Sequence, residues 1–249
     1  MVQSGASVWA VIPARLASTR FPAKALARIA GEPMIVHVVR RASSASSVEH
    51  VVVATDDDGI ATAAAGAGAE VVMTGECASG TDRVAAAVLG RDEWAIVVNV
   101  QGDEPLLPGE NIDVLVEGLQ AVSGAPMATL CRPLTREQVS SPDSVKVVRD
   151  SRFRALYFSR SVIPYARNAE AAGELWRLHL GIYAFRREGL ARFVGLPPSP
   201  LECAEGLEQL RALENGLEML VLDAPRDSWG VDTPEDLVRA EVALEAMRG

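Results

Sequence analysis

The chain has 249 residues, 49% hydrophobic, 23% charged and only 5% aromatic, which excludes an extended disordered protein and fits a unit with a sizeable core. A net charge of −9 and a pI near 5.0 exclude a general nucleic-acid binder, so any phosphate ligand has to be met by local cations. Cys77, Cys131 and Cys203 are far apart and odd in number, and no apolar run approaches the ~18 residues of a membrane span; a cytoplasmic protein without disulfides or zinc is expected.

The first predicted element is a strand over Val8 to Ile12, and it runs into "IPARLASTRFPAK". Arg15, Ser18, Thr19, Arg20 and Lys24 bring cations and hydroxyls together there, while the small residues Ala17 to Thr19 let backbone N–H groups approach an anion. The loop matches neither a Walker A loop nor a dinucleotide fingerprint, and by itself it reads equally as a polyanion cradle or a solvated basic loop. Helical spacing over Met34 to Ala42, Gly59 to Ala67 and Asp82 to Leu89 then alternates with strand-like runs at His50 to Ala54, Glu70 to Met73 and Ala95 to Val100. This alternation predicts a mostly parallel sheet covered on both faces, with ligands beyond the carboxyl ends of its strands. The informative stretches are therefore residues 14–24, 55–58, 74–83 and 101–105, all of them polar. In "VVNVQGDEP", Gln101 and Asp103 directly follow a strand, and a carboxylate there suits magnesium; Glu104 points elsewhere and reads as structural.

From about Met127 the pattern changes. "MATLCRPL", "SVKVVRD", "FRALYFSRSVIPYAR" and "HLGIYAFRREGLARFV" read as strands of mixed or antiparallel pairing joined by irregular links. Glu205 to Glu214 has Leu207, Leu210 and Leu213 at helical spacing, and Asp232 to Ala246 opens with "DTPED", a helix start that Asp232 or Thr233 can cap, Asp232 being also a candidate second metal carboxylate. Read alone, His179 is an ordinary buried histidine, Arg160 a surface charge, and Glu205, Glu208 and Arg211 a solvated helix face. No serine-nucleophile elbow is present. A single domain over 1–249 is expected, with about 127–190 as a subregion.

Taken in order, "IPARLASTRFPAK", "GEPMIVHVVRRA", "VVVATDD", "SGTDR", "VVNVQGDEP", "VKVV", "ALYFSR", "HLGIY", "LEQLR" and "GVDTPEDL" resemble the CMP-Kdo synthetase family, the 3-deoxy-manno-octulosonate cytidylyltransferases, over nearly the whole chain. The resemblance implies a Rossmann-like nucleotide-sugar transferase fold, an α/β unit whose central sheet is accompanied by a smaller mixed sheet used for dimerisation and the acceptor. It also implies a homodimer and Mg²⁺-dependent transfer of CMP from CTP to a small acidic acceptor. By residue, Arg15 and Lys24 with the backbone from Ala17 to Thr19 would hold the triphosphate, and Ser79, Gly80, Thr81 and Arg83 would border the cytidine. Asp103 and Asp232 would ligate magnesium. Gln101, Arg160, His179, Glu208 and Gln209 would line the acceptor side, Gln101 touching the nucleotide as well. Lys24, Arg15 and Asp103 would carry the catalysis.

The chain departs from the family pattern at Ala23 and Ala25, where glycine and proline are usual, and at Leu178, where a basic residue is usual beside His179. The acceptor-side change leaves CMP transfer to a small phosphonate such as phosphonoformate open; a catalytically silent nucleotide-binding relative and a nucleotidyltransferase that uses another nucleotide are the remaining readings.

Overall fold

The computed structural model describes residues 7–17, 21–168 and 175–246. The first buried run forms β1 (Ser7–Ala14), followed after the polar loop by a short hairpin, β2 (Arg28–Ile29) and β3 (Glu32–Pro33). Next come α1 (Met34–Ser43), β4 (His50–Thr55), α2 (Asp58–Gly66), β5 (Glu70–Met73), α3 (Gly80–Val88), β6 (Trp94–Asn99) and α4 (Gly109–Ala121). The second half contains β7 (Met127–Pro133), β8 (Lys146–Arg149), β9 (Ala155–Ser159), β10 (Arg177–Arg186), α5 (Arg187–Val194), α6 (Pro200–Glu205), α7 (Leu210–Glu214), β11 (Met219–Asp223) and α8 (Pro234–Ala246).

The main sheet runs β11-β7-β10-β6-β1-β4-β5. Strands β6, β1, β4 and β5 pair in parallel, as do β7 and β11, and β10 alone runs against both of its neighbours. Residues alternate across β1 as strand geometry requires. Val8, Ala10 and Ile12 pack on one face with Met34, Leu115 and Leu244, whereas Trp9 and Val11 pack on the other with Val84, Phe193 and Leu210. Burial on both faces is why this strand reads as an unbroken apolar run.

The expected α/β architecture is present. The smaller sheet, the β8–β9 hairpin, is joined to the main one through β10, where Leu178 pairs with Lys146. Two expectations about the second half need correction. The end of "HLGIYAFRREGLARFV" is helical, because Gly189, Leu190 and Phe193 make one buried face once the chain leaves β10 at Arg186. The stretch Glu205 to Glu214 is not one helix: Gly206 adopts φ +62°, its N–H closes α6 on the carbonyl of Glu202, and a helix resumes only at Leu210. Leucine spacing persists across the break, so periodicity alone does not reveal it.

Candidate active site

The carboxyl ends of β1 and β6 and the N-terminus of α3 surround a cleft of about 260 Å³ lined by Arg15, Lys24, Ser79, Gly80, Arg83, Gln101 and Asp103 among others. Close approach is built into the backbone. A Cβ on Gly102 would lie 2.9 Å from the Pro13 carbonyl oxygen, so only glycine lets the loop after β6 sit against the end of β1. Lys24 opens a single turn of 3₁₀ helix, and the preceding Ala23 takes φ +54°. The alanine thus adopts the left-handed conformation for which glycine is the usual residue.

Lys24 is the hub of the site. Its Nζ donates to Asp103 Oδ2 at 2.5 Å and to Asp232 Oδ1 at 3.1 Å, with only 16% of the lysine side chain exposed. Burial pulls its pKa down, but the two carboxylates outweigh that and leave it above the ordinary lysine value. The loop before α8 is strapped to the one after β6, because the Val231 N–H donates to the Asp103 carbonyl at 2.8 Å and Ser228 Oγ donates to Glu104 Oε2 at 2.7 Å. Glu104 is buried away from Lys24, and that burial pushes its carboxyl up to about 7.

Asp232 does not cap α8. Thr233 Oγ1 accepts from the Asp236 N–H and the Asp236 carboxylate accepts from the Thr233 N–H, a reciprocal pair that closes the helix start. The Asp232 carboxylate is left to face Lys24. Among the described residues no group of three or more His, Cys, Asp or Glu is placed to hold a metal ion. A hard cation nevertheless fits between Asp103 and Asp232, since a cation of the chain itself already stands there and magnesium takes few protein carboxylates when phosphate oxygens and water complete its shell.

Ser79 is the N-cap of α3, accepting from the Asp82 N–H at 3.1 Å. Its Oγ also lies 2.8 Å from Glu208 Oε1, and Thr81 Oγ1 donates to Glu208 Oε2 at 3.1 Å. Glu208 is therefore held against the α3 N-terminus, and its pKa is raised, by burial above all. Arg83 is buried, donating to Asp56 Oδ2 at 2.7 Å and to Thr74 Oγ1 at 2.5 Å, so it ties the loops after β4 and β5 together behind the cleft. Gln101 Nε2 donates to the Gly181 carbonyl at 3.0 Å, linking the cleft to β10.

His179 and Gln209 come together but are buried. The ring Nδ1 lies 3.5 Å from Gln209 Nε2 and Nε2 lies 3.0 Å from Thr129 Oγ1; Phe158 stands edge-on at a centroid distance of 4.8 Å. Burial pushes the histidine down to about 3, so it is neutral at pH 7. Arg160 donates to the carbonyls of Glu205 and Pro142 at 2.8 and 3.0 Å, which fixes its guanidinium to the frame of the second half. Ala17 is exposed and is not among the residues that line the cleft, while Ser18 and Thr19 lie outside the described residues. Sequence reasoning missed Asp56, the partner of Arg83, which had no signal beyond its place after a strand. It also missed Asp236 as the reciprocal partner of the Thr233 cap, although Thr-x-x-Asp ahead of an apolar run is a readable capping pattern.

The chain is similar to known proteins over most of its length. The family model described as "Cytidylyltransferase" matches residues 9–220. A 3-deoxy-manno-octulosonate cytidylyltransferase of Anaeromyxobacter sp. (strain Fw109-5) is 50% identical over 95% of this chain and 96% of its own length. One from Syntrophotalea carbinolica is 49% identical over 97% and 100%. A solved CMP:2-keto-3-deoxy-manno-octonic acid synthetase complexed with CTP superposes with a TM-score of 0.91 at 41% identity, covering 98% of this chain and 100% of that one. A cytidylyltransferase structure from Leptospira borgpetersenii, at 17% identity and a TM-score of 0.63, shares the fold.

Proposed function

The chain belongs to the cytidylyltransferase family, among the 3-deoxy-manno-octulosonate cytidylyltransferases, and we propose that its cleft holds the CTP triphosphate while Asp103 and Asp232 hold magnesium. The enzyme transfers CMP from CTP to 3-deoxy-manno-octulosonate: the acceptor's anomeric hydroxyl attacks the α-phosphorus and pyrophosphate leaves. The observation that carries the site reading is the Lys24 ammonium held between two carboxylates in a cleft that Arg15 also lines. Cations for phosphate oxygens and carboxylates for a metal meet there at the sheet edge where an α/β fold binds its ligand.

Arg15 and Lys24 neutralise the charge that builds on the phosphates as the bond to the leaving pyrophosphate stretches. Ser79, Gly80 and Arg83 border the cytidine; the rigid seat of Arg83 on Asp56 and Thr74 supports that role. Gln101, Arg160, His179, Glu208 and Gln209 form the acceptor side, each fixed by the hydrogen bonds described above. A bound magnesium ion would supply charge neutralisation at the phosphates and lower the pKa of the attacking hydroxyl. Among the described residues no side chain in the cleft serves as an evident base, so holding the hydroxyl in line with the leaving group is the main contribution of the protein.

The relatives named above favour the sugar acid over a phosphonate acceptor. Leu178 is consistent with that, because its side chain packs against the core instead of serving a ligand. Lys24, Asp103 and Asp232 together argue against a silent binder, which has no use for a paired-carboxylate site. A homodimer through residues 127–190 is supported by the exposed apolar side chains of Leu156 (60%), Tyr165 (87%) and Leu175 (58%) in that subregion. No described helix is long and apolar enough to cross a membrane.

Asp103→Asn tests the metal assignment. Turnover is expected to fall by about 10²-fold or more, with Mn²⁺ binding in the presence of CTP lost by electron paramagnetic resonance and the circular dichroism spectrum unchanged. Full turnover at saturating Mg²⁺ would remove Asp103 from the metal site.

A further inference from the structure

We propose that Thr81 is a positioning residue for Glu208: its hydroxyl, oriented by Asn99, aims the acceptor-side carboxylate, so that Thr81 governs acceptor binding and not nucleotide binding. The inference rests on Glu208 facing the acceptor, as read above, and it moves Thr81 from the nucleotide side to which resemblance assigned it.

Thr81 is only 3% exposed and does not line the cleft, although its neighbours Ser79, Gly80 and Arg83 do. A threonine hydroxyl has one proton to give. Asn99 Nδ2 stands 3.3 Å from Thr81 Oγ1 and donates to it, so the proton of Thr81 is directed to Glu208 Oε2 at 3.1 Å. Ser79 Oγ stands 2.8 Å from the other oxygen, but its one proton is shared with the Asp82 carboxylate at 3.0 Å, so Thr81 is the donor committed to Glu208. Glu208 lies in the irregular link between α6 and α7, where a terminal carboxylate torsion is otherwise broad and its ordering would be charged to ligand binding.

Asn99 supplies the fixed end of this chain. It is the last residue of β6, 1% exposed, and its backbone is held in register with Val11 on one side and Tyr183 on the other. Its Oδ1 is buried with no hydrogen-bond partner in the structure. An apolar residue would fill the same place without that cost, so packing does not account for the amide. Orienting the Thr81 hydroxyl does.

Steady-state kinetics of Thr81→Val and Thr81→Ser, with CTP and 3-deoxy-manno-octulosonate varied separately, test the inference. The valine variant is expected to raise the acceptor KM by about 10-fold, the size of one lost hydrogen bond to a charged group, with the CTP KM within about twofold of wild type; serine restores the acceptor KM. A CTP KM that rises as much as the acceptor KM, or an unchanged acceptor KM, would overturn it. Should Thr81→Val fail to fold, Thr81→Ala carries the same expectation, with CTP binding by calorimetry in the absence of acceptor expected to be unaltered. Glu208→Gln separates the two layers. If it leaves the acceptor KM unchanged, the acceptor-side reading of Glu208 fails and the inference with it. If it raises the KM while Thr81→Val does not, only the positioning role fails.

Discussion

Ala23 shows how a single residue carries a backbone constraint into the site. Its φ of +54° costs an L-residue about 1–2 kcal/mol, yet the turn is needed to start the 3₁₀ helix that presents Lys24 to Asp103 and Asp232. Glycine is usual at this position in the family that the chain resembles; here alanine takes the left-handed turn and accepts the strain. Ala23→Gly is therefore expected to raise the unfolding free energy by about 0.5 kcal/mol, the relief of strain less the ~0.4–1 kcal/mol lost through a more flexible unfolded chain. Urea denaturation measures this directly, and a clear loss of stability would mean that Ala23 does not occupy the left-handed region.

At the scale of elements, β10 joins the two halves of the molecule. It pairs with β6, which leads to Gln101 and Asp103, and with β7 and β8 on the side proposed to hold the acceptor, and it buries His179 among Thr129, Gln209 and Phe158. The folded histidine has its pKa pushed down to about 3, below the ordinary value of 6.5. Above pH 6.5 neither state binds the proton and nothing is lost; as pH falls from 6.5 toward 3 the unfolded chain binds it and the native chain does not, so stability falls. Between pH 7 and pH 5 this one site is expected to remove about 2 kcal/mol. His179→Gln should flatten the pH dependence of unfolding over that window; an identical slope would show that His179 titrates normally in the native protein. Read alone, His179 is an ordinary buried histidine, and by resemblance an acceptor residue. Burial was legible because an imidazole alternates with leucines on a predicted strand. Its neighbours were not, because Thr129 and Gln209 reach it only through strand pairing and a helix break that linear spacing does not record. The helix break itself turns on one residue, Gly206, within an uninterrupted leucine repeat.

For the whole molecule, the alternation of strands and helices made the parallel sheet legible and placed four loops at one edge. Three of them supply the cleft directly, and the fourth contributes Asp56 behind it. Spacing did not show the return of the last loop, which resemblance alone implied by pairing Asp232 with Asp103: Asp232 reaches Lys24 because Val231 and Ser228 strap that loop onto the one after β6, a contact between segments far apart in sequence. The departures at Ala23, Ala25 and Leu178 lie in positions filled by backbone strain or core packing, so they do not signal a new acceptor. The central claim is thus a CTP-dependent transfer to a sugar acid on an unaltered platform. The most direct test is pyrophosphate release from CTP and Mg²⁺ by the purified protein, with 3-deoxy-manno-octulosonate and phosphonoformate supplied in parallel. Fast release with the sugar acid and background release with the phosphonate is the predicted result. Release with phosphonoformate alone would contradict it and make the acceptor-side changes marks of a different substrate.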